Sequence, residues 1–312
     1  MDLYKLKQNK LDSIERENFK LEKEIQSIVE DNLETLFNLK FVSTEFIIGD
    51  FRLDSLCYDN ETNSFVIIEY KKGSSYSVID QGYSYLSVML NNKSDFILEY
   101  IEKTGENLKK DTIDWSQSRI IFISPSFNSY QKNSVNFKDV PFELWEIRKF
   151  YNGIISFNQF KSSSKESIQK VSGGKNTIID NVNKEVQVLS DEDTLKKKKV
   201  NDDIKDLYYL LKEKFLEWDD VSINPKKNYV SFKKNKHPFV TFNFRKNFIR
   251  IHINIGWKDS KKPKPYFKLD DPKGMFKVWE NKYKQLYSYD LKNSKEIDYF
   301  VLMVKQKYDF LS

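Results

Sequence analysis

Glu69 and Lys71 close an apolar run, FVIIEYKKG at residues 65–73. Side chains alternate along a strand, so positions 69 and 71 share a face, about 6–7 Å apart. Left alone at the end of a buried run, such charges would cost on the order of several kcal/mol. A third charge, Asp54, lies upstream in FRLDSLCYD. If Asp59 pairs with Ser64 around a four-residue loop, Asp54 falls opposite Glu69; a loop one residue longer puts it opposite Ile68, on the wrong face. Neighbouring carboxylates repel and raise each other's pKa, and a divalent cation removes that conflict. Mg²⁺ takes hard oxygen ligands, often one or two carboxylates plus waters and a phosphate oxygen. It activates a bound water and stabilises charge on a phosphodiester. A lysine beside it can hold the attacking water or offset transition-state charge. Asp54, Glu69 and Lys71 therefore suit a metal-dependent phosphodiesterase site, with Asp54 and Glu69 as ligands of Mg²⁺ or Mn²⁺. The competing reading is a Glu69–Lys71 ion pair at a strand end, with Asp54 in solvent.

The elements that position these residues are readable in outline. FVSTEFIIG, FRLDSLCYD and SFVIIEYKK read as strands, with DNETN (59–63) turning between the last two. SVIDQGYSYLSVMLNN (77–92) reads as a helix, with Ser77 as N-cap and Asp80 as its capping-box partner. Gln81 and Tyr85 are four residues apart on its inward face, where a glutamine and a tyrosine need hydrogen-bond partners. Residues 20–38 carry Ile25, Ile28, Val29, Leu33, Leu36 and Phe37 at helical spacing. Glu22 falls inside that apolar sector, as a satisfied core glutamate or a further site residue. Cys57 alternates away from Asp54 and reads as packing. RIIFISP (119–125) and FELWEIRKF (142–150) read as further strands.

The 312 residues suffice for two domains. The single cysteine rules out an internal disulfide framework and suits a reducing compartment. No run of about 18 apolar residues suggests a membrane span. The N-terminus is charged throughout, without a signal-peptide core. These features predict a soluble cytoplasmic protein. Periodicity fades between 161 and 200, which is expected to be a flexible linker after a domain spanning 1–160. A second unit, 201–312, opens with an amphipathic helix (201–218). It continues through the strands YVSFKK, FVTFNF and FIRIHINI and ends in a helix (294–311).

Net charge is +6, but residues 201–312 hold 24 Lys/Arg against 15 Asp/Glu. Between Lys226 and Lys268 there are 13 basic residues and one acidic residue, Asp259. Arg245, Lys246, Arg250, Lys261, Lys262 and Lys264 are the candidate phosphate contacts of a polyanion-binding surface. A solvated lysine-rich face is the alternative. The interleaved aromatics fit the core of a small sheet. Two histidines and one cysteine make a structural zinc site improbable.

Taken together, LEKEIQSIVEDN, FRLDSL, FVIIEYKKG and DQGYSYLSVML resemble the PD-(D/E)XK, or restriction-endonuclease-like, nuclease superfamily over residues 18–150. They are especially similar to a group of uncharacterised prokaryotic proteins with a C-terminal domain of unknown function, which residues 203–312 resemble. The resemblance implies an α/β fold: helix, mixed β-sheet and helix, with a second, smaller α+β domain. It implies that Asp54 and Glu69 bind metal and that Lys71 assists the attacking water. Gln81 and Tyr85 match a motif of RecB-like and NucS-like branches, and Glu22 joins them as a catalytic candidate. Leu53 stands where a proline often precedes the aspartate. The implied function is hydrolysis of phosphodiester bonds, with DNA as the expected partner and a homodimer as the arrangement for cutting two strands. A non-catalytic nucleic-acid-binding or protein-interaction module that retains the fold is the alternative.

Overall fold

A computed structural model of the chain describes residues 2–73, 77–162, 164–168, 170, 177–235, 237–257, 267–280 and 284–311. The chain divides into two compact units, residues 1–188 and 189–312.

The first unit begins with a hairpin, β1 (Leu3–Lys7) and β2 (Lys10–Ile14), then β3 (Arg16–Glu17). Gln8 and Asn9 at the tip both take positive φ, as a tight two-residue turn requires. Helix α1 (Glu22–Glu30) and the short α2 (Leu33–Phe37) follow. The single helix expected over 20–38 is thus broken near Asp31 and Asn32. Ile25, Val29 and Leu33 still point inward and are buried.

Next come β4 (Lys40–Ile48), β5 (Phe51–Asp59), β6 (Ser64–Tyr70), α3 (Val78–Asn91) and α4 (Lys93–Thr104). They are followed by β7 (Arg119–Ser124), α5 (Ser129–Ser134), β8 (Phe142–Phe150) and β9 (Ile154–Phe160). The sheet order is β3-β8-β7-β6-β5-β4, with β9 also pairing β8. It is a mixed sheet: β6, β7 and β8 run parallel, whereas β4, β5 and β6 form an antiparallel meander. Every residue of β6 is buried, as expected for a strand covered on both faces. Leu56, Phe65, Ile67 and Phe122 pack with Leu86, Met89 and Phe96 of α3 and α4. Val66, Ile68, Ile121 and Ile123 pack with Ile25 and Val29 of α1 on the other side.

Helix α6 (Thr177–Glu185) and α7 (Asp191–Lys197) occupy part of the stretch expected as a linker. Each buries a short apolar stripe: Val182 in the first unit's core, Leu195 in the second's. The compact units divide at 188/189, inside the 161–200 stretch expected as a flexible linker.

The second unit continues with α8 (Asp202–Leu216), β10 (Val221–Pro225), β11 (Val230–Lys234), β12 (His237–Arg245) and β13 (Phe248–Trp257). It ends with β14 (Lys277–Glu280), β15 (Lys284–Leu291) and α9 (Ile297–Phe310). Six strands pair antiparallel in the order β10-β11-β12-β13-β15-β14. Phe232, Phe242, Phe244, Ile249, Ile251 and Ile253 pack with Leu211, Phe215, Phe300 and Val304 of the two long helices. The aromatics of the basic stretch are thus mainly core residues. Among the described residues, no helix is long and apolar enough to cross a membrane.

Candidate active site

The β5–β6 register places the acids. Asp59 pairs with Ser64, and Ser55 with Ile68, so the next positions, Asp54 and Glu69, stand opposite each other. The turn favours this register. Asp59 Oδ1 accepts the N–H groups of Glu61 (2.8 Å) and Thr62 (3.2 Å), and Asn63 takes the left-handed conformation, φ 52°.

Glu69 is 2% exposed. Its Oε1 accepts from Lys71 Nζ at 2.6 Å, Gln81 Nε2 at 2.7 Å and Tyr85 OH at 3.4 Å. Its Oε2 is buried and has no hydrogen-bond partner. Asp54 Oδ2 accepts the Tyr70 N–H at 2.9 Å. Helix α3 delivers Gln81 and Tyr85 from one face, and Gln81 Nε2 also lies 2.9 Å from Tyr85 OH. Ser77 caps this helix by accepting the Asp80 N–H. Gly82 lets it approach the sheet: a Cβ there would lie 2.5 Å from the Phe142 ring.

Glu22 is not buried, correcting the inward position expected for it. It is exposed and accepts the Lys72 N–H at 2.7 Å. At the first residue of α1 it ties down the chain leaving β6. Its charge still reaches the site, acting on Asp54 and Lys71.

An uncharacterised protein of Haemophilus influenzae (strain ATCC 51907 / DSM 11121 / KW20 / Rd) is 39% identical over 314 residues, covering 98% of this chain and 99% of that protein. The chain belongs to that protein's family. Residues 191–310 also match a family described as Domain of unknown function (DUF5655). Among solved structures, a repair endonuclease from Pyrococcus abyssi is similar at 19% identity and a TM-score of 0.23, over 39% of this chain and 45% of that one. An EndoMS–dsDNA complex is similar at 18% identity and a TM-score of 0.27, over 43% and 60%. The chain spans less than two thirds of the length of either structure.

Electrostatics set these side chains apart from an ordinary surface ion pair. Burial, then the Asp54 charge, push the Glu69 carboxyl up to about 7, against the Lys71 and Gln81 hydrogen bonds. Burial also lifts Asp54 above its usual range, against the Tyr70 N–H and the Lys71 charge. Burial presses the Lys71 ammonium down. The hydrogen bond and charge of Glu69, with Asp54 and Glu22, outweigh it and hold the amine above its usual range.

In the second unit, Arg245 and Lys246 are exposed at the β12–β13 turn. Arg250 does not join them as a free phosphate contact. Its guanidinium is held by Asp290 through two bonds of 2.7 and 2.8 Å. Lys261, Lys262 and Lys264 lie outside the described residues. The end of α7 adds what the sequence reading missed: Lys197 and Arg245 both act on the Lys198 ammonium and, after burial, help to lower its pKa. The KKKK run at 196–199 was the available signal.

Proposed function

We propose that the first unit is a divalent-metal-dependent nuclease acting on DNA, with Asp54, Glu69 and Lys71 at its centre. One observation carries this reading. Glu69, which stands opposite a second carboxylate, has one oxygen within reach of three donors and the other buried and bare. A merely structural ion pair would leave no such oxygen, because an orphaned buried acceptor costs about 1–3 kcal/mol.

The donor set suits Mg²⁺ or Mn²⁺ better than zinc. Among the described residues, no group of three His, Cys, Asp or Glu is gathered to hold a metal. Two carboxylates, with water and a substrate phosphate completing the shell, are what Mg²⁺ accepts. Asp54 and Glu69 Oε2 would hold the ion, which when bound would polarise the phosphodiester and lower the pKa of a water. Gln81 and Tyr85 fix Glu69 Oε1 and so aim Oε2. Lys71 places a positive charge beside the acids, where it can orient the attacking water and offset charge on the phosphate. Lys197, Lys198, Arg245 and Lys246 would hold the phosphate backbone.

The test is cleavage of single- and double-stranded DNA and RNA with Mg²⁺, Mn²⁺ or EDTA. Folded Glu69→Ala and Lys71→Ala variants run alongside. Cutting that needs metal and disappears in both variants is expected. Cutting that survives both substitutions would sink the assignment. Absence of cutting and of metal binding would favour a non-catalytic module.

A further inference from the structure

Behind the Asp54–Glu69 pair, α1 brings a second polar layer against the strands. Gln26 is 4% exposed, on a helix face otherwise lined by Ile25 and Val29. Its amide nitrogen lies 2.9 Å from each of three acceptors: Asp54 O, Thr44 Oγ1 and Glu30 Oε1. Lys23 Nζ, which can only donate, lies 3.2 Å from the amide oxygen and fixes which way the amide faces.

The Asp54 carbonyl has reason to look to a side chain. The β4–β5 register keeps step from Thr44–Ser55 to Phe46–Leu53, which sets Glu45 opposite Asp54, and Glu45 takes the left-handed conformation at φ 52°. The backbone opposite Asp54 thus departs from strand geometry at Glu45, and Gln26 supplies a donor to the Asp54 carbonyl.

Glu30, one turn after Gln26, reaches Ser55, the residue after Asp54 on β5. Its Oε1 accepts from Ser55 Oγ at 2.6 Å. That hydroxyl has one hydrogen, so Tyr70 OH is the donor in the 3.0 Å contact between Tyr70 and Ser55. The Tyr70 N–H in turn donates to Asp54 Oδ2. Asp54 is thus gripped twice: by its carbonyl through Gln26, and by its carboxylate through a peptide whose ring is anchored to Glu30.

We infer that Gln26 and Glu30 are positioning residues that set the Asp54 carboxylate relative to Glu69 for cation binding. This rests on the nuclease reading above. Packing alone would accept leucine at position 26, and the polar chain ends at both contacts of Asp54.

Mn²⁺ affinity of the full chain, read by calorimetry beside thermal melts, tests it. Gln26→Leu is expected to weaken Mn²⁺ binding about tenfold or more while remaining folded at the assay temperature. Ser55→Ala, a one-hydroxyl change, is expected to weaken it by several-fold. Glu30→Gln keeps an acceptor for Ser55 and is expected to stay close to wild type, whereas Glu30→Leu falls with Gln26→Leu. Wild-type affinity in a folded Gln26→Leu, or in Ser55→Ala if the first fails to fold, would overturn the inference alone. Absence of Mn²⁺ binding by the wild type would overturn the nuclease reading and this inference with it.

Discussion

The Tyr70 N–H donates to Asp54 Oδ2 at 2.9 Å, so the residue just after Glu69 holds the acid standing opposite Glu69. The two residues thereby face each other across β5 and β6, Glu69 buried and Asp54 half-buried, and both carboxyls titrate above their usual range.

A pH dependence follows. In EDTA the folded chain retains protons that the unfolded chain has released. The Glu69 contribution to stability is complete below its ordinary pKa of 4.5 and is lost as pH rises through about 7. The loss is about 3 kcal/mol, with Asp54 adding to it in the same direction. Urea unfolding in EDTA from pH 4 to 8 should show the decline, and Glu69→Gln should flatten it. An equally steep decline in Glu69→Gln would refute the assignment.

Gln81 acts against that rise, since its hydrogen bond favours the charged Glu69. Gln81→Leu should therefore raise the Glu69 pKa further. The acid limb of the pH–rate profile should move to higher pH, with a roughly tenfold or greater loss of activity at neutral pH. Tyr85→Phe, which removes a 3.4 Å contact to Glu69 and a 2.9 Å acceptor of the Gln81 amide but leaves the Gln81–Glu69 bond, should cost less. An unmoved acid limb in Gln81→Leu would mean that the amide does not aim the carboxylate.

Gly82 tests how α3 delivers these side chains. An added methyl would meet the Phe142 ring at 2.5–2.8 Å, so the helix or the ring must shift. Gly82→Ala should destabilise the chain by about 1–3 kcal/mol. Phe142→Leu in the same chain should recover part of that loss. A Gly82→Ala protein with an unchanged melting temperature would show that the close approach is not needed.

How much of this was legible differed by residue. The Asp54–Glu69 meeting followed from a loop length, because a hairpin converts one pairing into every other. Gln81 and Tyr85 followed from their four-residue spacing on a helix face. Gln26 and Glu30 did not stand out, because their partners are groups on strands far along the chain, including the Asp54 carbonyl 28 residues away. Glu22 was misplaced because its carboxylate accepts the N–H of Lys72, on the chain leaving β6 50 residues away, a partner that helical periodicity does not encode. Helices α6 and α7 escaped because each buries only one or two apolar residues among polar ones. The approach of Lys198 to Arg245 depends on how α7 packs, which periodicity does not encode.

Lys307 on α9 offers a test in the second unit. It is 6% exposed, its ammonium lies over the Phe267 and Phe310 rings at 4.8 and 4.7 Å, and burial pushes its pKa down to about 8. A depressed amine favours the folded state more as pH rises from about 8 towards its ordinary 10.5. Lys307→Met should stabilise this unit at pH 7 by about 1–3 kcal/mol, the rings having recovered part of the burial cost in wild type. It should also remove the rise in melting temperature between pH 8 and 10.5. A lower melting temperature in Lys307→Met at pH 7 would show that the rings compensate the charge fully.

The basic corner of the second unit separates charge that is available from charge that is spent. Lys197 and Arg245 both disfavour the charged form of Lys198, so a phosphate backbone would relieve their repulsion. Arg250 already has Asp290 in a two-point pair. Removing one cation that binds a phosphate should reduce the slope of log affinity against log salt by about 1. Arg245→Gln and Lys198→Gln should each lower the slope and weaken DNA binding at low salt. Arg250→Gln should leave the slope nearly unchanged, its effect appearing in the melting temperature as Asp290 is left without its partner. Fluorescence anisotropy with labelled DNA from about 50 to 200 mM salt reads the slopes directly. Equal reductions in all three variants would mean that the Asp290 pair opens to admit phosphate; no reduction in any would move DNA binding away from this corner.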